Sequence, residues 1–177
     1  ALTLNNSTVF NPIATPVINT IYSVTLTYPN GCKALDTIVI AVKPSPVAKF
    51  GSTKVCSGTA TQFTDSSSTS QGLISSRIWD FGDGSPLNTS QNPSYIYANP
   101  GTYNVTLIIN NNFGCADTVI KPVQVYYKPA AAFSFSDVCL HDTMHFVNTS
   151  TVDINSSITS YLWVFGDGSP TSSLQNP

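Results

Sequence analysis

Tyr103, Val105, Leu107 and Ile109 fall on one side of an extended chain, and Asn104, Thr106 and Asn110 fall on the other. Side chains of a strand point to opposite faces in turn, so this period of two predicts a half-buried strand. Tyr22, Val24, Leu26 and Tyr28 repeat the pattern. Trp79 and Phe81 share a face on another predicted strand, as do Tyr161, Trp163 and Phe165. Turn-forming clusters punctuate the runs: SSSTSQG (66–72), GDGSP (82–86), NPG (99–101) and NNNFG (110–114). Short strands between such turns, with no helical periodicity, predict an all-β sandwich. Pro122 interrupts a run that otherwise reads as a strand. It carries no N–H for a ladder, which places that strand at a sheet edge or a bulge.

Composition fits the same picture. Of the 177 residues, 41% are hydrophobic, enough for packed cores, but only 9% are charged, against roughly 25% in an ordinary soluble domain. Every acidic residue is Asp, and the net charge is -2. Nucleic acid as a partner is excluded on this balance, since it calls for clustered basic residues. Ser, Thr and Asn occupy the surface that charges leave, and with Val, Ile, Tyr and Phe they favour strands over helices. No apolar run reaches the about 18 residues of a membrane span. No secretory leader pattern opens the chain, as expected of a segment that starts mid-module. The four cysteines point towards an oxidising compartment.

The chain repeats itself. Asn11-Pro12, Asn92-Pro93 and Asn176-Pro177 mark one recurring point, with a period of about 80 residues. YSVTLTYPNGCKALDTIVI from Tyr22 aligns with YNVTLIINNNFGCADTVI from Tyr103, and AKFGSTKVCSGTATQF from Ala48 with AAFSFSDVCLHDTMHF from Ala131. Proline-containing breaks, VKPSPV (42–47) and YYKPAA (126–131), separate the copies and read as short stiff linkers. The expected organisation is the C-terminal half of an immunoglobulin-like module over 1–45, a complete module over 46–127, and the N-terminal half of a further module over 128–177. The chain therefore reads as an excerpt from a longer array.

WDFGDGSP (79–86), followed by YIYANPGTYNVTLIINN (95–111), resembles the polycystic kidney disease (PKD) domain, an immunoglobulin-like β-sandwich. WVFGDGSP (163–170) resembles it as well, whereas the first stretch lacks a GDG segment. With the added GC and VC cysteines, the pattern is similar to tandem PKD repeats of secreted and cell-surface proteins of Bacteroidetes. Members of that group act mostly as spacers and adhesive stalks, and some accompany secreted hydrolases. Such motifs specify fold more strongly than function.

The repeat also weighs the candidate chemistry. The GDG loop keeps Gly82, Asp83 and Gly84 as Gly166, Asp167 and Gly168, but Asp80 becomes Val164. A site needing both carboxylates does not survive that change. A turn does, with glycines at positive φ and the Asp accepting backbone N–H bonds. The alternative is a calcium site on Asp80, Asp83 and loop carbonyls. His141 and His145, four apart, share one face if they lie on a strand, and with Cys139 and Asp142 they suggest zinc. Their counterparts in the complete module are Gly58 and Gln62, and the intervening residues do not form HExxH. A solvated strand is the better reading. No catalytic residues, cofactor or nucleophile–base pair can be assembled, so no enzymatic activity is expected.

In an immunoglobulin-like sandwich the cysteines of the last hairpin, Cys32 and Cys115, lie at the opposite end from Cys56 and Cys139. A strand length of about 25 Å between them exceeds the roughly 7 Å a disulfide allows. Cys56–Cys115 pairing within one module is disfavoured, and stacked modules would pair the early Cys of one with the hairpin Cys of the next. Four free thiols, or an in-module bond allowed by an irregular first strand, are the alternatives. Resemblance to the Bacteroidetes proteins implies O-glycosylation at Thr37, Thr118 and Thr143, each in an Asp-Thr-hydrophobic sequence, the first two at equivalent positions. In a eukaryotic host, Asn88, Asn104 and Asn148 head N-glycosylation triplets instead. Thr is also simply a good strand residue.

The function expected is a non-enzymatic, extracellular repeat region of a surface stalk, adhesin or filament. Its partners would be neighbouring modules of the same or an identical chain, surface glycans or other cell-surface proteins. The alternative is a polysaccharide- or protein-binding accessory to a secreted hydrolase, for which Tyr95, Tyr97, Tyr126 and Tyr127 are the candidate exposed rings.

Overall fold

A computed structural model describes residues 11–154 and 156–177. The part of the first stretch before residue 11 lies outside the described residues. The described chain is all-β. Two strands, β1 (Thr20–Thr27) and β2 (Lys33–Ile40), form an antiparallel hairpin. Seven strands build the central sandwich: β3 (Phe50–Ser52), β4 (Val55–Cys56), β5 (Ala60–Asp65), β6 (Ile74–Asp80), β7 (Ser94–Ile96), β8 (Gly101–Asn111) and β9 (Ala116–Tyr126). After them come β10 (Phe133–Phe135) and β11 (Phe146–Asn148), a short antiparallel pair.

The central sandwich packs a three-stranded sheet, β3-β5-β7, on a four-stranded sheet, β4-β9-β8-β6. Alternation along the strands places the core between them. Val105, Leu107 and Ile109 of β8 are fully buried, while Asn104 faces solvent. Val123 and Val125 of β9 join them, and the opposite sheet supplies Phe50 and Phe63. Trp79 is 0% exposed at the centre. Its indole N–H donates to the Ser90 carbonyl at 2.9 Å, so burying it leaves no unpaired donor. Each such large apolar side chain stabilises the fold by about 1.5–3 kcal/mol. Pro122 sits on β9 opposite Asn104, where β9 has no neighbour on its other side. There β9 is a sheet edge, because β4 reaches only Val125 and Tyr126.

The same local bonds recur in the C-terminal stretch. Trp79 and Asn88 exchange backbone bonds of 2.8 and 3.0 Å, and Trp163 and Ser172 do so at 2.8 and 3.2 Å. The Trp163 indole donates to the Leu174 carbonyl at 2.8 Å, as Trp79 does to Ser90. Phe63 N–H donates to the Pro93 carbonyl, and Phe146 N–H to that of Pro177. The predicted strand through Tyr161, Trp163 and Phe165 nevertheless forms only one bridge. In the central sandwich β6 is held by β8, and among the described residues no strand stands beside Trp163 in that role. Tyr161, Trp163 and Phe165 still alternate with exposed residues.

The β1–β2 turn matches the β8–β9 turn bond for bond. Tyr28 N–H donates to Cys32 O at 2.8 Å and Gly31 N–H to Tyr28 O at 2.9 Å. Asn111 N–H donates to Cys115 O at 2.9 Å and Gly114 N–H to Asn111 O at 3.1 Å. Counted from this turn, Tyr22 stands where Val105 stands and Val24 where Leu107 stands. The residue-by-residue sequence alignment is therefore displaced by two positions in the strands, because β8 runs two residues further before turning. A shift of two keeps every side chain on its face.

Candidate functional site

The GDG loop leaves β6 and returns beside β8. Gly82 has φ 78°, and a Cβ there would stand 2.5 Å from the Asn104 carbonyl oxygen, so both the turn and the close approach require glycine. Asp80 accepts the Gly82 N–H at 2.8 Å, and Asp83 accepts the Ser85 N–H at 3.1 Å. The second Asp83 oxygen accepts the Tyr95 hydroxyl at 2.6 Å. Burial works against ionisation of Asp83, but the Tyr95 and Ser85 bonds outweigh it and hold the carboxyl below its usual range. Asp167 repeats the turn with Ser169, while Gly168 keeps φ 86° and Gly84 φ 82°. Asp80 is thus turned onto its own loop, and Asp83 onto its own loop and Tyr95 of β7. Among the described residues no group of three or more His, Cys, Asp or Glu could hold a metal ion.

Tyr95 stacks on Phe81, centroids 4.1 Å apart. Tyr97 is buried and donates its hydroxyl to the Phe81 carbonyl at 3.0 Å. Burial pushes its phenol well above the ordinary value. Of the four candidate rings, these two belong to the core and its rim, and only Tyr126 and Tyr127 are exposed.

His141 and His145 do not share a strand face. His141 lies in a turn at φ 74°, and His145 precedes β11. The counterpart of His141 is Gly58, at φ 77°. Both turns close the same way, Thr59 N–H to Cys56 O at 3.1 Å and Asp142 N–H to Cys139 O at 3.0 Å. A left-handed residue at this point breaks the strand.

Each cysteine is a free thiol in the structure. Cys56 is not in a plain loop: β4 adds in parallel to the end of β9, with Cys56 opposite Tyr126. Cys115 precedes Ala116, the first residue of β9. The two thus stand at opposite ends of a strand about 33 Å long. Thr37, Thr118 and Thr143 are all exposed. Thr37 and Thr118 are not at equivalent places, since Thr37 pairs with Ser23 and Thr118 with Ile108, two positions nearer the turn.

A clasp on the linker was not singled out in the sequence. Asn111, 2% exposed, donates from Nδ2 to the Pro44 carbonyl at 3.0 Å. Its Oδ1 accepts the N–H groups of Phe113 and Cys115. The Lys43 ammonium lies 4.8 Å from the Phe113 ring centroid, and Cys115 Sγ lies 3.8 Å from the Lys43 carbonyl oxygen. Asp117 accepts the Ala48 N–H at 2.7 Å. No repeated residue signalled it, since the turn match makes Tyr28 the counterpart of Asn111 in the first hairpin. The ion pair between Arg77 Nε and Asp65 was equally silent.

The PKD domain family matches residues 43–125. A curated relative, the pre-pro-metalloprotease PrtV of Vibrio cholerae, is 37% identical over 81 residues, 46% of this chain. Collagenase ColA of Bacillus cereus is 30% identical over 73 residues, 41% of this chain. The match spans 8% of the length of each of these relatives. The crystal structure of the PKD1 domain from V. cholerae PrtV is 34% identical, with a TM-score of 0.42, covering 46% of this chain and 98% of that one. The sandwich of residues 43–125 in this chain is a PKD domain.

Proposed function

We propose that this chain is part of a non-enzymatic extracellular protein in which PKD modules follow one another as a semi-rigid spacer of a stalk, adhesin or filament. On this reading residues 1–45 and 128–177 are halves of further modules, and length comes from copy number. The observation that carries it is the commitment of the central sandwich's aromatic and acidic groups to itself: Tyr97 is buried, Tyr95 is tied to Asp83, and Asp80 and Asp83 cap their own turn. A linker clasped by Asn111 supports stiffness between modules. Purified chain should neither hydrolyse peptide or glycan substrates nor be retained on immobilised chitin, cellulose or collagen. Turnover that a single Asp, Ser or His substitution removes would overturn the non-enzymatic reading.

A second reading has support of its own, because the relatives are named as a metalloprotease and a collagenase. The chain would then be an accessory module that brings a secreted hydrolase to its substrate, with Tyr126 and Tyr127 as the exposed rings. Retention on collagen or polysaccharide, abolished by Tyr126→Ala with Tyr127→Ala, would select it over the spacer. Either reading places the chain outside the cell, where collagen and surface polysaccharides are found.

A further inference from the structure

We propose that residues 42–50 form a seated, rigid joint and not a pivot, with its direction set from both sides, by Asn111 of the central sandwich and by Asn19 of the stretch before it. This deepens the spacer reading by locating its stiffness, and rests on that reading only for the use made of the stiffness. The geometry is the same if the chain is an accessory module.

The segment is built extended. Pro44 and Pro46 each fix their own φ near −65° and bias the residue before them, Lys43 and Ser45, towards extended backbone. An extended chain turns alternate side chains to opposite faces, and burial along the segment follows that period. Val42 and Pro44 are half-buried, Pro46, Ala48 and Phe50 are buried, and the residues between them are exposed. One face therefore sinks steadily into the sandwich as the chain approaches β3. Backbone bonds hold the deep end: Val47 and Ser68 exchange bonds of 2.7 and 3.0 Å, and the Lys49 carbonyl accepts the Ser66 N–H at 2.9 Å. Along β9 the segment is held by side chains, Asp117 on the Ala48 N–H at 2.7 Å and the Lys121 ammonium on the Phe50 carbonyl at 2.7 Å.

The shallow end is where a pivot would sit, and it is gripped twice. Asn111 is 2% exposed, and its Oδ1 is already fixed by the N–H groups of Phe113 and Cys115. An amide is planar, so fixing its oxygen aims its Nδ2 donor, which reaches the Pro44 carbonyl at 3.0 Å. Two residues earlier the Val42 N–H donates to Asn19 Oδ1 at 2.8 Å. Lys43, between the two grips, places its ammonium 4.8 Å from the Phe113 ring centroid and its carbonyl 3.8 Å from Cys115 Sγ.

The hairpin tip that does the gripping cannot swing with the joint. Asn112 accepts the Leu73 N–H through Oδ1 and donates its own N–H to the Leu73 carbonyl, both at 2.9 Å. The Phe113 ring lies so close to Gly72 that a Cβ there would stand 2.6 Å from it. Residues 111–113 thus tie the joint to the loop before β6, on the body of the sandwich.

Nitrogen relaxation of the whole chain in solution measures the joint. Order parameters of the Val42, Lys43 and Ser45 amides should match that of Leu107, about 0.85 as in rigid backbone. Asn111→Ala should lower Lys43 and Ser45 towards about 0.6, the flexible range, with Leu107 unchanged. It should also raise the iodoacetamide labelling rate of Cys115 towards that of exposed Cys32. Asn19 is exposed and lies outside the sandwich. Asn19→Ala should loosen Val42 while the thermal unfolding of the sandwich stays as it is, which keeps the test decisive if the Asn111 variant does not fold. Wild-type values below about 0.6 at Lys43 and Ser45 would overturn the proposal. So would a Val42 order parameter that Asn19→Ala leaves unchanged, or a folded Asn111→Ala chain with Lys43 still rigid. None of these results bears on hydrolysis or retention, so the joint and the spacer reading fail separately.

Discussion

Trp79 meets Phe50 edge-on, ring centroids 5.2 Å apart at 71°, and Trp163 meets Phe133 in the same way at 5.4 Å and 68°. The first pair is sealed between two sheets and the second is open. An edge-to-face pair contributes about 0.5–1.5 kcal/mol beyond its burial, so most of the worth of Trp79 lies in the cover that Trp163 lacks. Trp79→Ala should destabilise the central sandwich by about 3–5 kcal/mol, a large part of the about 5–15 kcal/mol a domain holds. Trp163→Ala should leave its urea midpoint within error. Equilibrium urea unfolding of dilute chain checks both.

Gly82→Ala tests strain and collision together, with Gly166→Ala, outside the central sandwich, as its control. Both positions hold a left-handed φ, which costs a non-glycine residue about 1–2 kcal/mol. Only at Gly82 does the added Cβ also strike backbone, 2.5 Å from Asn104 O. Gly82→Ala should therefore lower the unfolding temperature of the central sandwich clearly, while Gly166→Ala should leave it unchanged. Differential scanning calorimetry of the two variants is the measurement.

Asp65 makes the central sandwich acid-sensitive. Its burial alone would raise the carboxyl's pKa, but bonds from Ser67 and the Arg77 guanidinium together hold it below the ordinary value. A carboxylate depressed in the folded state contributes stability above its unfolded pKa of about 3.9 and loses it as pH falls through the lower folded value. The unfolding temperature should stay level from neutral pH to about 5 and fall below about 4. Asp65→Asn should cost about 2 kcal/mol at neutral pH and flatten that acid limb. In the C-terminal stretch the corresponding residues are Asn148 and Tyr161, so both partners of the ion pair are replaced together.

Calcium should not matter to the fold. The Asp80 and Asp83 carboxylates already accept Gly82, Ser85 and Tyr95 donors. Thermal unfolding with excess calcium and with chelator should coincide. Asp80→Val, the substitution nature makes at Val164, should cost about 1 kcal/mol through the lost turn bond.

The sandwich was legible in the sequence because alternation and turn residues are local signals. Val105, Leu107 and Ile109 declare their face without reference to anything distant. The hairpin register was not, since aligning Tyr22 with Tyr103 ignores where each strand turns, and only the Tyr28–Cys32 and Asn111–Cys115 bonds reveal the shift of two. The His141 turn was hidden because its counterpart Gly58 was read as a missing ligand rather than as a demand for positive φ. The Asn111 clasp escaped because it joins residues far apart in the chain, Pro44 and Cys115, through one buried amide.

Hydrogen exchange of dilute, reduced chain tests the central claim, one closed sandwich between two open stretches, most directly. Amides of β5, β6, β8 and β9 should exchange only through global opening, orders of magnitude more slowly than those of β1–β2 and β10–β11. Equal protection of Val24, Val147 and Leu107 amides in the dilute monomer would contradict it.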